Sequence, residues 1–261
     1  MLKKSAPQTL MNICRSAMNP AKAVVMAQKT LRRFMDPQGT ISPADYQAWL
    51  KRSAVDIDSF LSRFDPALVA EANEFSRNLD IRANDILSRI PHDLGGGGGV
   101  PLLYILTRLR RPSAILETGV AAGFSSATFL AALERNGTGH LYSSDFPYFR
   151  IENPEQYVGV VVDPALKSRW SLFLKGDDSN IPDILSRAGT IDLFHYDSDK
   201  SYTGRTKTMN RVRPHMSEGA LVVMDDIQDN AYFHDLVKPL PTGSFHVIFY
   251  QGKYIGLIGN V

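Results

Sequence analysis

The chain has 261 residues, 44% of them apolar and 21% charged, an ordinary globular composition with enough apolar mass for a sizeable core. Its length allows one large domain or one domain with an appendage. A formal net charge of +2 lacks the basic excess of a nucleic-acid binder, the single Cys14 excludes an intrachain disulfide, and no run approaches about 18 continuous apolar residues, so neither nucleic acid nor a membrane is expected as a partner.

The first stretch, "MLKKSAPQTLMNICRSAMNP", carries two lysines, but Asn12 and Arg15 interrupt any apolar signal-peptide core, and a cytoplasmic protein is expected. Residues 1–90 read as helical. In "SPADYQAWLKRSAVDIDSFLSRF", Tyr46, Trp49, Leu50, Ile57, Phe60 and Leu61 keep a mostly three-to-four spacing, with Val55 one residue out of phase. Ser42 suits a cap and Pro43 the first helical position. "PALVAEANEFSRNLDIRANDILSRI" continues the pattern without a catalytic cluster. This region fits a cap or an oligomerisation element, which leaves a homo-oligomer open.

Next comes "HDLGGGGGVP", five glycines in a row at residues 95–99. A phosphate loop needs a strand before it and a lysine after it; here "SRIPHDL" precedes and Val100-Pro101 follows.

After residue 100 helices and strands alternate. "LLYILTRLRRP" reads as a helix, "AILETGV" as a strand, "SSATFLAALERNG" as a helix, "GHLYSSDF" and "WSLFLKGD" as strands, and "IPDILSRAG" as a helix. "IDLFHYDSD" and "GALVVMDDI" are further strands, and "FHVIFYQGKYIGLIGN" is a pair of strands around Gln251-Gly252. The expected fold is α/β: a doubly wound, mostly parallel seven-stranded sheet with an antiparallel C-terminal edge hairpin, preceded by the helical N-terminal region. The organisation is residues 1–90, then a domain over 91–261.

Such sheets bind ligands at the carboxyl ends of their strands. The first of these strands ends in "ETGVAAGFSS", where Gly119 permits a sharp turn and Gly123 and Ser125 open a helix whose free N–H groups favour an anion such as a carboxylate. The second ends at Asp145, an acid placed to hold two ribose hydroxyls or to serve as a helix cap or turn residue. The third ends in "KGDDSNIP", where Gly176 precedes Asp177 and Asp178; either acid could meet an adenine amino group, cap the next helix, or both. A carboxylate site, a ribose acid and an adenine edge together describe S-adenosylmethionine.

From about residue 91 the chain resembles class I S-adenosylmethionine-dependent methyltransferases, and among them the metal-dependent O-methyltransferases of the catechol and caffeoyl-CoA type and their bacterial sugar and natural-product relatives. Glu117, Gly119, Gly123 and Ser125 match the family's E-x-G-x-x-x-G-x-S; Asp197 and Lys200 match its D-x-x-K; Asp225 and Asp226 stand where it has Asp followed by Asn or Asp. The resemblance implies that Asp197, Asp225 and Asp226 bind Mg²⁺ and that Lys200 helps deprotonate a hydroxyl of a small-molecule acceptor. It also implies that the glycine run, Gly97 and Gly98 included, folds over the methionine end of the cofactor as a flap; a passive linker is the other reading. A hard cation with oxygen ligands would lower the pKa of that hydroxyl, and Lys200 could act as the base or only orient the acceptor.

His195 inside the fourth strand reads as a buried structural residue, His92 and His234 as alternative bases, and Tyr202 as packing beneath the site. Residues 146–170 match no motif. Two other functions remain open at this point: a nicotinamide-dependent oxidoreductase, disfavoured by the missing GxGxxG, and a non-catalytic cofactor-binding protein.

Overall fold

The computed structural model describes residues 6–20, 23, 26–27, 35–148 and 150–261. The N-terminal part holds helices α1 (Ala6–Ala17), α2 (Pro43–Ser53), α3 (Ile57–Leu61) and α4 (Pro66–Ser88), with a short strand β1 (Ala54–Asp56) between α2 and α3. Next come α5 (Val100–Arg110), β2 (Ala114–Thr118), α6 (Phe124–Asn136), β3 (His140–Ser144), β4 (Trp170–Phe173), α7 (Asp177–Ala188) and β5 (Ile191–Tyr196). The chain ends with α8 (Tyr202–Val212), β6 (Met216–Met224), α9 (Tyr232–Val237), β7 (Phe245–Tyr250) and β8 (Lys253–Ile258).

Among the described residues, eight strands form one sheet in the order β1-β7-β8-β6-β5-β2-β3-β4. Only β8 runs against its neighbours, antiparallel to both β6 and β7. The expected α/β sheet is therefore present, with one strand more than the seven read from sequence. The extra strand is β1, whose Ala54, Val55 and Asp56 pair in parallel with Val247, Ile248 and Phe249. It interrupts the helix expected across residues 42–64, and it accounts for the phase slip at Val55. The hairpin around Gln251 (φ 48°) and Gly252 (φ 83°) has both turn residues left-handed, the twist that joins antiparallel strands tightly. It is not the outermost element, because β1 covers β7.

β2 is buried at every position, as a strand covered on both faces must be. One face packs against α3, α4, α5 and α6 through residues such as Phe60, Leu79, Leu103 and Phe129. The other packs against α2, α7, α8 and α9 through Leu50, Ile184, Met209 and Phe233. Strand order reverses between β2 and β5, so the carboxyl ends of β2, β3, β5 and β6 converge at the place where such sheets carry ligands. Ser42 caps α2 by accepting from the Asp45 N–H at 3.1 Å, with Pro43 in the first turn, as the sequence pattern implies.

Candidate active site

A cleft opens at this switch point. It is lined by Gly96, Gly97 and Gly98, by Val120, Ala121 and Ala122 after β2 with Phe124 and Ser125, and by His195 on β5 with Asp197 and Asp225 just past the ends of β5 and β6. Gly119 (φ 85°) turns the chain directly beneath Asp197: a Cβ there would run into the Asp197 carbonyl. Gly123 (φ 98°) precedes α6 with no side-chain cap, which leaves first-turn N–H groups beside Ser125 for a ligand. The glycine run lies against this loop. A Cβ on Gly97 would sit 2.8–2.9 Å from the Phe124 side chain, and one on Gly98 would be 3.6 Å from Asp225 Oδ2.

Asp145 braces the same loop. Its Oδ2 accepts from the Val120 and Ala121 N–H groups at 3.2 and 2.8 Å, and its Oδ1 accepts from the Phe146 N–H at 2.6 Å. Glu117 lies beneath the loop, outside the cleft lining and fully buried. Its Oε2 accepts from the Ser126 and Ser143 hydroxyls at 2.6 and 2.7 Å, while Oε1 has no partner and faces His195 Nδ1 at 3.9 Å. Burial pushes the Glu117 carboxyl up to about 7 against the serine hydrogen bonds, and burial drives His195 down to about 4. Burial thus favours the neutral form of His195, which lines the cleft.

Gly176 (φ 87°) ends the turn after β4 and donates its N–H to the Asp145 carbonyl at 3.0 Å. Asp177 accepts from the Ser144 hydroxyl at 2.6 Å and the Ser198 hydroxyl at 2.5 Å, which ties β3 to the loop after β5. Asp178 turns to the surface, where Lys207 and Arg211 pair with it at 2.6 and 2.9 Å. The structure therefore separates the two adjacent acids and leaves Asp177 on the site side.

Asp226 joins the two cleft acids: ligand oxygens of Asp197, Asp225 and Asp226 lie within 4.8 Å of one another. At that separation each pair of full charges repels by roughly 3–4 kcal/mol at an effective dielectric of about 20. Two lysines offset this. Lys200 pairs with Asp197 and, at 3.0 Å, with Asp226; Lys253 reaches Asp226 at 3.1 Å. Burial, then Asp197 for Asp225, raises the Asp197 and Asp225 carboxyls. Asp226 is partly buried, yet Lys200, Lys253 and Gln228 pull it down to about 2. Burial alone would lower Lys200, but the three acids outweigh it and raise it. The donor set is three carboxylates on a rigid rim, which fits a hard divalent ion. Asp199 stays outside the cluster and accepts from the Ser201 N–H at 3.0 Å.

His234 is engaged away from the cleft, with Nδ1 3.0 Å from Asp235 and its ring edge-on to Trp49. His92 stacks edge-on with Tyr157. Tyr202 donates to Asp235 at 3.1 Å.

Three features escaped the sequence reading. Residues 146–170 support the β2 loop: the Gly159 and Val161 N–H groups donate to the Ala121 and Ala122 carbonyls at 2.9 and 3.0 Å. Buried Asn180 joins strand ends through the Ser144 hydroxyl (2.9 Å) and the Phe173 carbonyl (2.9 Å). Arg205, with no exposed surface, donates to the carbonyls of Asp225 and Asp226 at 3.2 and 2.7 Å. A lone Asn or Arg on a helix has no spacing signal that distinguishes it from a solvated residue.

Residues 116–227 match the methyltransferase domain family. No curated protein sequence matches the chain. Among solved structures, the O-methyltransferase TomG from Streptomyces achromogenes, involved in tomaymycin synthesis and in complex with SAM, is 19% identical, with the match covering 81% of this chain and 99% of that one at a TM-score of 0.50. Cofactor-bound Rv0187 from MTB is 16% identical, covering 85% of this chain and 99% of that one at a TM-score of 0.51. At these identities the likeness is one of fold. Domain and fold together bear out the resemblance to class I S-adenosylmethionine-dependent methyltransferases and the expectation of an enzyme of that kind. Among the described residues, no helix is long and apolar enough to cross a membrane.

Proposed function

We propose that the chain transfers the methyl group of S-adenosylmethionine to a hydroxyl oxygen of a small molecule, assisted by a divalent cation, most simply Mg²⁺. The carrying observation is the convergence of Asp197, Asp225 and Asp226 with Lys200 at the rim of the cleft lined by the glycine run and the α6 N-terminus. The TomG structure, an O-methyltransferase with SAM bound, supports the reading by its shared fold.

S-adenosylmethionine supplies an electrophilic methyl on a sulfonium, and a cation held by the three aspartates would make an acceptor hydroxyl more acidic. The protein's own part is alignment and charge. The uncapped start of α6 and Ser125 take the carboxylate end of the donor, and Asp145 and Asp177 stand by its nucleoside. Gly97 and Gly98 close over the methionine end and exclude water. Asp197, Asp225 and Asp226 would hold the cation, whose charge would favour ionisation of an acceptor hydroxyl placed beside the methyl. Holding the partners in line can contribute roughly 7–11 kcal/mol. Lys200, which the three acids favour in its charged form, pairs with Asp197 and Asp226 and is placed to orient the acceptor.

Two binding measurements check the donor site. Asp145→Ala should weaken S-adenosylhomocysteine binding by about 1–3 kcal/mol in calorimetry, since a charged acceptor that organises the loop is lost; unchanged affinity would remove Asp145 from the site. Gly97→Ala pushes a methyl into Phe124. It should therefore slow cofactor binding or release more than it lowers the melting temperature. A change in melting alone would make the run a linker.

A further inference from the structure

The corner at residues 225–226 poses a geometric problem. Successive side chains on a strand point to opposite faces. Asp225 still continues β6, its N–H donating to the Tyr196 carbonyl at 3.0 Å. Asp226, next in the chain, should face away, yet both carboxylates join Asp197 in one cluster. The chain solves this by turning at Asp226, which adopts φ 50° and ψ 41°. That is left-handed backbone in a residue other than glycine, a conformation that persists only where its surroundings hold it.

Arg205 is what holds it. One guanidinium nitrogen donates to the carbonyls on both sides of the turn, Asp225 at 3.2 Å and Asp226 at 2.7 Å. Another reaches Asn230 Oδ1 at 3.5 Å, and the Asn230 amide donates to the Lys200 carbonyl at 2.8 Å. One buried group thus ties the 225–226 corner to the loop that carries Lys200. The arrangement suits the site better than it suits stability: Nε has no partner, and an incompletely satisfied buried charge is costly.

We propose that Arg205 is a positioning residue for the cation site, holding the left-handed turn that presents Asp225 and Asp226 to a single ion and, through Asn230, fixing that turn against the Lys200 loop. The proposal rests on the cation-assisted reading above.

The test uses the full chain and two titrations followed by calorimetry, Mn²⁺ as the cation probe and S-adenosylhomocysteine as the cofactor probe, with melting temperature as a control. Arg205→Met fills a similar volume and should bind Mn²⁺ about 10–100-fold more weakly, the usual effect of removing a group that orients metal ligands, with S-adenosylhomocysteine affinity unchanged. Arg205→Lys should fall between wild type and Arg205→Met, because an ammonium keeps the charge but lacks the planar fork. Asn230→Ala leaves Arg205 in place and should weaken Mn²⁺ alone by a smaller factor; it decides the matter if the Arg205 variants do not fold. Wild-type Mn²⁺ affinity in folded Arg205→Met, or in Asn230→Ala where the Arg205 variants do not fold, overturns the proposal. So does a parallel loss of both affinities, which would mean general damage. If the wild type binds S-adenosylhomocysteine but no Mn²⁺, the cation reading itself fails and the proposal falls with it.

Discussion

In excess EDTA, methyl transfer to a hydroxyl acceptor should drop by a factor of about 10²–10³, equivalent to roughly 3–4 kcal/mol of transition-state stabilisation. Asp225→Ala should show a similar loss without chelator. The two arms share a cause. Asp225 is almost wholly buried, and burial and Asp197 both raise its carboxyl, so the fold gains nothing from its charge. Removing it relieves repulsion in the acid cluster, and the melting temperature of Asp225→Ala should be equal to or above that of wild type while turnover collapses. Opposite movement of stability and activity is the mark of a group kept for its chemistry. Added Mg²⁺ should restore the chelated wild type and do little for the variant. Undiminished turnover in EDTA would sink the cation reading and leave the three acids as charges that only organise the rim.

The sequence made the sheet legible because its strands are covered on both faces, so each reads as a compact apolar run bounded by glycine or polar residues, as in "AILETGV". The site acids were legible for the same reason: an aspartate directly after such a run lies at a strand end. Asp197, Asp225 and Asp226 accordingly converge. The strand β1 was not legible. Three residues cannot show a period of two, and its pairing with Val247 to Phe249 lies almost 200 positions away. Only Val55, out of step with the helical spacing around it, carried a trace of the break. Asp177 and Asp178 could not be told apart because the deciding groups, Ser198 for one and Lys207 and Arg211 for the other, come from distant elements. Arg205 left no trace either, since its partners are main-chain carbonyls, which have no residue identity.

Lys200→Ala should lower kcat by about 10²–10³ with little change in the KM for S-adenosylmethionine, the size expected when one preorganised charge beside a reacting oxygen is removed. The geometry favours charge over proton transfer. Lys200 bridges Asp197 and Asp226, and three carboxylates hold its ammonium above the ordinary lysine range despite burial. A base must give up its proton near neutral pH to act, and the three acids of this rim oppose that: Asp197, Asp225 and Asp226 all favour the charged form and together outweigh burial. Lys253 does not substitute, because it reaches only Asp226 and is half exposed. The discriminating variant is Lys200→Arg. A guanidinium stays protonated under any assay condition, so it can supply charge and hydrogen bonds but cannot accept the acceptor's proton. If Lys200 works by charge, Lys200→Arg recovers much of the turnover lost in Lys200→Ala, and both variants keep wild-type affinity for S-adenosylhomocysteine. If Lys200→Arg is as slow as Lys200→Ala while the protein stays folded and still binds Mn²⁺, the lysine takes the proton, and the cation must be what releases it from its carboxylates.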